Sequence, residues 1–198
     1  MNAGYILQIA TPSEIYVNPA NLFVANFIGT PPMNIFKTVI NDKGEVKLGE
    51  EFYDVKSSKT YKTLQDYHYE NEPITLGIRP EHILIEKATD QDTKFVSTVT
   101  NYELLGHAAL VHFMIGDMKV ISKVDERLVF AKGDKIRYAF NMDKLYFFNE
   151  PQEDRIYDDT SKLAPINTLR AELKNNLVHI EQSYYETADE STLNALNN

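Results

Sequence analysis

The sequence predicts a mainly β protein: a small Greek-key barrel of short strands, with short helices before it and one helix after it. Three observations carry the prediction. Between residues 35 and 148 the apolar residues come in short runs broken by turns, with Gly44, Gly106, Gly116 and Gly133 as punctuation. Residues 11–29 hold two helix starts that involve proline. Residues 166–184 repeat apolar side chains at spacings of 3, 4, 4, 3 and 4, which is a helical stripe.

Composition bounds the function. The chain has 198 residues, 43% of them hydrophobic and 25% charged, as in an ordinary globular protein. It has no cysteine, which excludes disulfides and thiolate metal sites and is compatible with the cytosol. No run of apolar residues is long enough to span a bilayer, and no secretory signal is visible. The net charge of −9 is concentrated in the tail, where residues 149–198 carry ten acids and four bases. A nucleic-acid partner is therefore not expected, because displacing counterions needs clustered Lys and Arg.

Taken in order, Tyr5 to Ile9 reads as a short strand after a turn. Thr11-Pro12-Ser13-Glu14 is a helix start in which Thr11 caps, Pro12 takes the first turn and Glu14 completes a capping box. Asn18-Pro19 opens a second helix, Ala20 to Phe27, with Phe23, Val24, Phe27 and Ile28 on one face, Gly29 as C-cap and Pro31-Pro32 as a stop. Ile35 to Ile40 and Val46 to Leu48 form a hairpin around Asn41-Asp42-Lys43-Gly44, and Phe52 to Val55 is a further strand. Residues 57–72 read as polar loop, in which Tyr67, His68 and Tyr69 are either a solvated surface or a ligand cluster.

Ile74 to Ile78 and Ile83 to Ile85 are strands joined by the charged corner Arg79-Pro80-Glu81-His82. Pro80 fixes its own φ and pushes Arg79 into extended backbone, so the corner is stiff. Gly77 inside the first strand marks a bulge or a close backbone approach. Phe95 to Leu105, Ala108 to Ile115 and Met118 to Val124 make a meander, followed by Ile136 to Phe140 and Leu145 to Phe148. Ile166, Leu169, Leu173, Leu177, Ile180 and Tyr184 lie on one face of the closing helix, residues 165–184, and 186–198 reads as disordered.

No enzyme is expected. The sequence has no Gly-x4-Gly-Lys-Ser/Thr phosphate loop, no Leu-Ser-Gly-Gly-Gln-like segment and no Gly-x-Ser-x-Gly elbow. His68, His82, His107, His112 and His179 fall at no metal-ligand spacing, so catalytic, cofactor and metal residues are all expected to be none.

Leu76-Gly77-Ile78-Arg79-Pro80-Glu81-His82 resembles the regulatory domain of the ATP-binding subunits of sugar-type ABC importers, the maltose and glycerol-phosphate group. The opening is similar to the end of the ATPase domain in that family, at Gly4, Gln8, Thr11, Pro12, Glu14, Ile15, Tyr16, Pro19, Phe23-Val24-Ala25, Phe27-Ile28-Gly29 and Pro32-Met33-Asn34. Asn2 stands where the family has an acidic residue, and Ala10 where it has glycine. Glu103-Leu104-Leu105-Gly106, Gly133-Asp134 and Leu145 to Asn149 resemble later steps of the same domain.

The resemblance implies two OB-like halves packed together across residues 31–156. Residues 1–30 would be the last strand and helices of the ATPase domain, and 157–198 a C-terminal extension. It further implies a regulatory, dimer-forming role that couples paired ATPase subunits, with ATP and Mg²⁺ held by a domain outside this chain. The implied partners are a second copy through the barrel, permease subunits through that ATPase domain, and a cytosolic regulator, at the inner face of the membrane. Arg79, Glu81, His82, Glu103 and Gly106 are the candidate interdomain or dimer-coupling residues; a local Arg79–Glu81 pair that merely holds the corner is the plainer alternative. A stand-alone sensor of oxyanions or sugars is the competing reading.

Overall fold

The computed structural model describes residues 6–158 with their side chains, and the backbone of Tyr5, 170–174 and 177–181. It is mainly β, with a few short helices. A two-residue strand β1 (Tyr5–Ile6) leads to α1 (Pro12–Val17). The capping box forms as expected: Thr11 Oγ1 accepts from the Glu14 amide, and the Glu14 carboxylate accepts from the Thr11 amide at 2.9 Å. Helix α2 (Leu22–Phe27) starts later than the Asn18-Pro19 signal, because the side chain of Asn21 accepts from the Val24 amide and is the N-cap. Its apolar residues do not share one face. Leu22, Val24 and Ala25 are buried, whereas Phe23 and Phe27 stack on each other in solvent.

Strand β2 (Asn34–Val39) is followed by β3 (Glu45–Leu48) and β4 (Glu51–Asp54). The expected β2–β3 hairpin is reduced to one bridge, Ile40 with Val46. Strand β3 pairs instead with β4. Within the loop, Asn41 Oδ1 accepts from the amides of both Lys43 and Glu45, and the Asn41 amide donates to Glu45 O at 2.9 Å, so side chain and backbone close it together. Helix α3 (Tyr61–Asp66) occupies part of the segment read as polar loop, burying Thr63 and Leu64.

Strand β5 (Pro73–Ile78) pairs with β2, and after the corner comes β6 (Ile83–Lys87). The single strand expected over 95–105 is two, β7 (Val96–Thr98) and β8 (Asn101–Leu104). Strands β9 (Ala109–Ile115) and β10 (Met118–Val124) follow, then β11 (Lys135–Phe140), β12 (Leu145–Asn149) and β13 (Arg155–Ile156). The sheets run β13-β12-β5-β2, β6-β11-β7 and β10-β9-β8. The chain thus changes sheet between β7 and β8.

Among the described residues the closing helix is not observed. Arg170–Lys174 and Leu177–Glu181 are antiparallel strands β14 and β15, and β14 pairs with β1. Val178 and Ile180 on β15 are β-branched, a type that strands favour. A spacing of 3 and 4 across a hairpin thus counterfeits a helical stripe. The remaining positions of that stripe, and the tail 186–198, lie outside the described residues.

The main core joins the β13-β12-β5-β2, β6-β11-β7 and β10-β9-β8 sheets through Phe36, Leu76, Val111, Phe113, Tyr138 and Phe147, among others. Strand β12 serves two cores at once. Leu145 and Phe147 enter the main one, while Tyr146 and Phe148 face Leu22, Ala25 and Met33, the period-2 alternation placing α2 on the outside of the sheet. Gly77 has its reason here, because a Cβ at that position would stand 2.5 Å from Met33 Sδ and 3.2 Å from Phe148 Cε2. No helix among the described residues is long and apolar enough to cross a membrane.

Candidate functional site at the arginine corner

The corner between β5 and β6 folds as its residues dictate. Arg79 is extended (φ −74°, ψ 148°), and Pro80–His82 make one 3-10 turn, closed by the His82 amide donating to Arg79 O. The side chain of Arg79 does not pair with Glu81. It runs inward, 1% exposed, to the ends of both N-terminal helices. Its guanidinium donates to Ile28 O at 2.9 Å and to Tyr16 O, and lies 3.7 Å from the centroid of the Tyr16 ring. The last carbonyls of a helix lack intrahelical donors and carry the negative end of its dipole, so a cation fits them. A planar, weakly hydrated guanidinium also stacks on an aromatic face, which an ammonium does less well. Gly29 leaves room for this seat, since a Cβ there would meet Arg79 Nη1 at 3.2 Å.

Glu81 binds the other end of the same tyrosine, accepting from the Tyr16 hydroxyl. Burial, with Glu81 adding to it, pushes the Tyr16 phenol up to about 12. His82 contributes through its main chain, its carbonyl accepting from the Asn141 amide at 3.0 Å, and burial pushes its imidazole pKa down.

Glu103 and Gly106 are not brought to this corner. Glu103 is exposed on β8, and β9 stands between β8 and β10, against which the corner packs. Glu103 accepts from Asn101 Nδ2 at 2.8 Å and faces His112 Nε2 at 3.1 Å. Gly106 sits at φ +86° in the β8–β9 turn, with open space around it.

Sequence reasoning missed four side chains that complete the joint. Arg155 Nη1 donates to Val17 O and to Asn18 Oδ1, its guanidinium 4.6 Å from the Tyr146 ring and 4.8 Å from the Tyr157 ring. The Tyr146 hydroxyl donates to Val17 O at 3.2 Å, and that of Tyr157 to Pro19 O at 3.4 Å. Asn34, buried on β2, donates through Nδ2 to Ile121 O and accepts at Oδ1 from the Ile121 amide, tying β2 to the edge strand β10. Tyr16 and Asn34 both belong to the segment whose spacing matched the importer pattern, which was the available signal. Arg155 and Tyr157 carried none.

The corner guanidinium groups are engaged by main-chain carbonyls and tyrosine faces, and among the described residues no three His, Cys, Asp or Glu side chains gather as a metal site. Nor do two shallow grooves on the sheets favour an oxyanion. In one, of about 370 Å³, Arg137 is held by Glu86. In the other, of about 280 Å³, His112 abuts Glu103.

Residues 29–83 match the family described as MalK OB fold domain, and residues 76–148 match the TOBE domain. The ABC transporter ATP-binding protein YurJ of Bacillus subtilis is 38% identical over 79% of this chain and 44% of its own length. The oligosaccharides import ATP-binding protein MsmX, also of Bacillus subtilis, is 36% identical over 79% of this chain and 43% of itself. The sn-glycerol-3-phosphate import ATP-binding protein UgpC of Cupriavidus metallidurans is 30% identical over 79% and 42%. Among solved structures, the cytoplasmic molybdate-binding protein ModG overlaps 58% of this chain and 94% of its own at a TM-score of 0.42 and 11% identity, too distant a likeness to carry an argument. The chain therefore spans less than half the length of these curated relatives. It carries the MalK OB fold and TOBE domains, and it is homologous to the C-terminal region of the ATP-binding subunits of sugar and glycerol-phosphate ABC importers.

Proposed function

We propose that this chain is the regulatory and dimer-forming part of the ATP-binding subunit of an importer for carbohydrates or related solutes, and that it couples two such subunits mechanically. The observation that carries the reading is the Arg79 seat. A buried cation on the sheets grips the ends of α1 and α2, so a displacement of those helices pulls directly on the body that bears the OB and TOBE domains. In this reading ATP and Mg²⁺ belong to the rest of the subunit, the permease is met through that part, and the assembly sits at the cytoplasmic face of the membrane. A second copy meets this one through the OB and TOBE sheets, and a cytosolic regulator docks on the same body.

Light scattering on this chain at tens of micromolar tests the pairing. A dimer mass is expected, and a monomer mass would overturn the dimer-forming role. Calorimetry with molybdate, sulfate, phosphate and simple sugars separates coupling from sensing: the coupling reading expects no heat, and saturable heat from any of them would replace it.

A further inference from the structure

The Arg79 seat is the first rung of a longer device. Arg79 lies between Tyr16 and Tyr146, at 3.7 and 5.7 Å from their ring centroids, and Arg155 lies between Tyr146 and Tyr157, at 4.6 and 4.8 Å. The five side chains therefore alternate, tyrosine and arginine, from α1 through β12 to the segment after β13. We propose that this ladder locks the helix pair to the sheets as one rigid body, with Arg155 and Tyr146 as its positioning residues, so that the joint is a clamp and not a hinge.

The backbone accounting around it supports a clamp. A hinge leaves its main-chain groups to water, free to change partners. Here the carbonyls of Tyr16, Val17, Pro19 and Ile28 accept from ladder side chains, and that of Ala20 accepts from the Arg155 amide at 3.1 Å. The Leu22 amide donates to Glu153 O at 2.9 Å, and Asn21 bridges to Asp154. Most of the carbonyls between the end of α1 and the start of α2 are thus held from the sheet side, which is where a hinge would need freedom.

The electrostatics are unusual in the same direction. Two guanidinium groups face one ring, Tyr146, from opposite neighbours, and each keeps a buried Nε without a hydrogen-bond partner. Like charges at this spacing hold together because each meets electron-rich ring faces and the negative end of a short helix. Glu81 does not neutralise Arg79; it fixes the far end of Tyr16. A ladder of this kind needs the planar group itself, and charge alone does not build it.

The mechanical use of the clamp rests on the coupling function above, but its test does not. Amide hydrogen exchange read by mass spectrometry on the whole chain compares residues 15–28 with β5 and β9. Arg155→Gln and Tyr146→Leu each remove two cation–π contacts and a hydrogen bond to Val17 O, and exchange across 15–28 is expected to rise about tenfold or more, with β5 and β9 unchanged. Tyr146→Phe keeps the ring and is expected to rise less than Tyr146→Leu. Arg155→Lys keeps the charge without the plane and is expected to stay loosened. Where Arg155→Gln does not fold, Tyr157→Leu at the outer rung and Arg155→Lys decide. Unchanged exchange over 15–28, an equal rise in β5 and β9, or full restoration by lysine would each overturn the ladder. A monomeric mass in light scattering with the expected exchange pattern would remove the dimer and leave the clamp standing.

Discussion

Asn34 offers the sharpest quantitative test of how the sheets are held together. Strand β10 is an edge of its sheet, so the Ile121 amide and carbonyl that face away from β9 have no strand to pair with. The Asn34 side chain supplies both partners, donating to Ile121 O at 2.9 Å and accepting from Ile121 N at 2.8 Å, with a further contact to Ile78 O at 3.3 Å. Its amide acts as one residue's worth of β-ladder across the gap between two sheets. Asn34→Leu fills the volume and leaves both Ile121 groups without partners. Each unsatisfied group costs about 1–3 kcal/mol, so a loss of about 2–6 kcal/mol is expected. For a body of this size each kcal/mol moves the melting temperature by about 2–4 °C, giving a drop near 10 °C. Asn34→Asp keeps the acceptor and sets a carboxylate oxygen against Ile121 O, so it is expected to lose at least as much. Urea titration and thermal melting followed by circular dichroism measure both. A melting temperature within about 2 °C of the unsubstituted chain for both variants would refute the bridging role.

Two further outcomes are expected. Gly77→Ala puts a methyl against Met33 Sδ and Phe148, which are 4% and 0% exposed, and overpacking of that kind costs about 1–3 kcal/mol. The urea midpoint falls with the slope unchanged, and Met33→Ala in the same chain restores part of it; no shift in midpoint would show that the two cores have slack there. The Tyr16 phenol is raised from 10 to about 12, so its share of stability is complete below pH 10 and is lost as the pH rises through 12. Tyr16→Phe removes that share of the alkaline dependence, leaving those of Tyr53 and Tyr138, which burial also raises. An alkaline stability profile identical in the Phe variant would refute it.

Much of this molecule was legible before its structure was. The Thr11 capping box, the stiff extended Arg79 before Pro80 and the strands expected at 74–78, 83–85, 108–115 and 118–124 follow from local chemistry, because a cap, a ring constraint and a period of two act within a few residues. The importer-type spacing in residues 4–34 and the Arg79 to His82 corner pointed to the right family. The expected features that failed needed partners distant in sequence. Strand β2 pairs along its length with β5, more than thirty residues on, while a single bridge, Ile40 with Val46, leads to β3. The strand over 95–105 breaks where the chain changes sheet. The stripe over 166–184 divides, in its described part, into two strands, since apolar spacing alone does not distinguish a helix face from two sides of a hairpin.

The site divides in the same way. That Arg79, Glu81 and His82 share a rigid corner was fixed by four consecutive residues, one of them a proline. Which of them reaches inward, and to what, was decided only by the fold, which delivers the carbonyls of Tyr16 and Ile28 from residues more than fifty positions upstream. Arg155 is a lone arginine in an acidic stretch of sequence, and it becomes part of the joint because β13 pairs with β12 and sets it beside Tyr146. Local sequence fixes what a backbone can do over a turn or a strand. Where a buried charge finds its partners depends on distant chain being folded back to meet it, and that belongs to the tertiary structure alone.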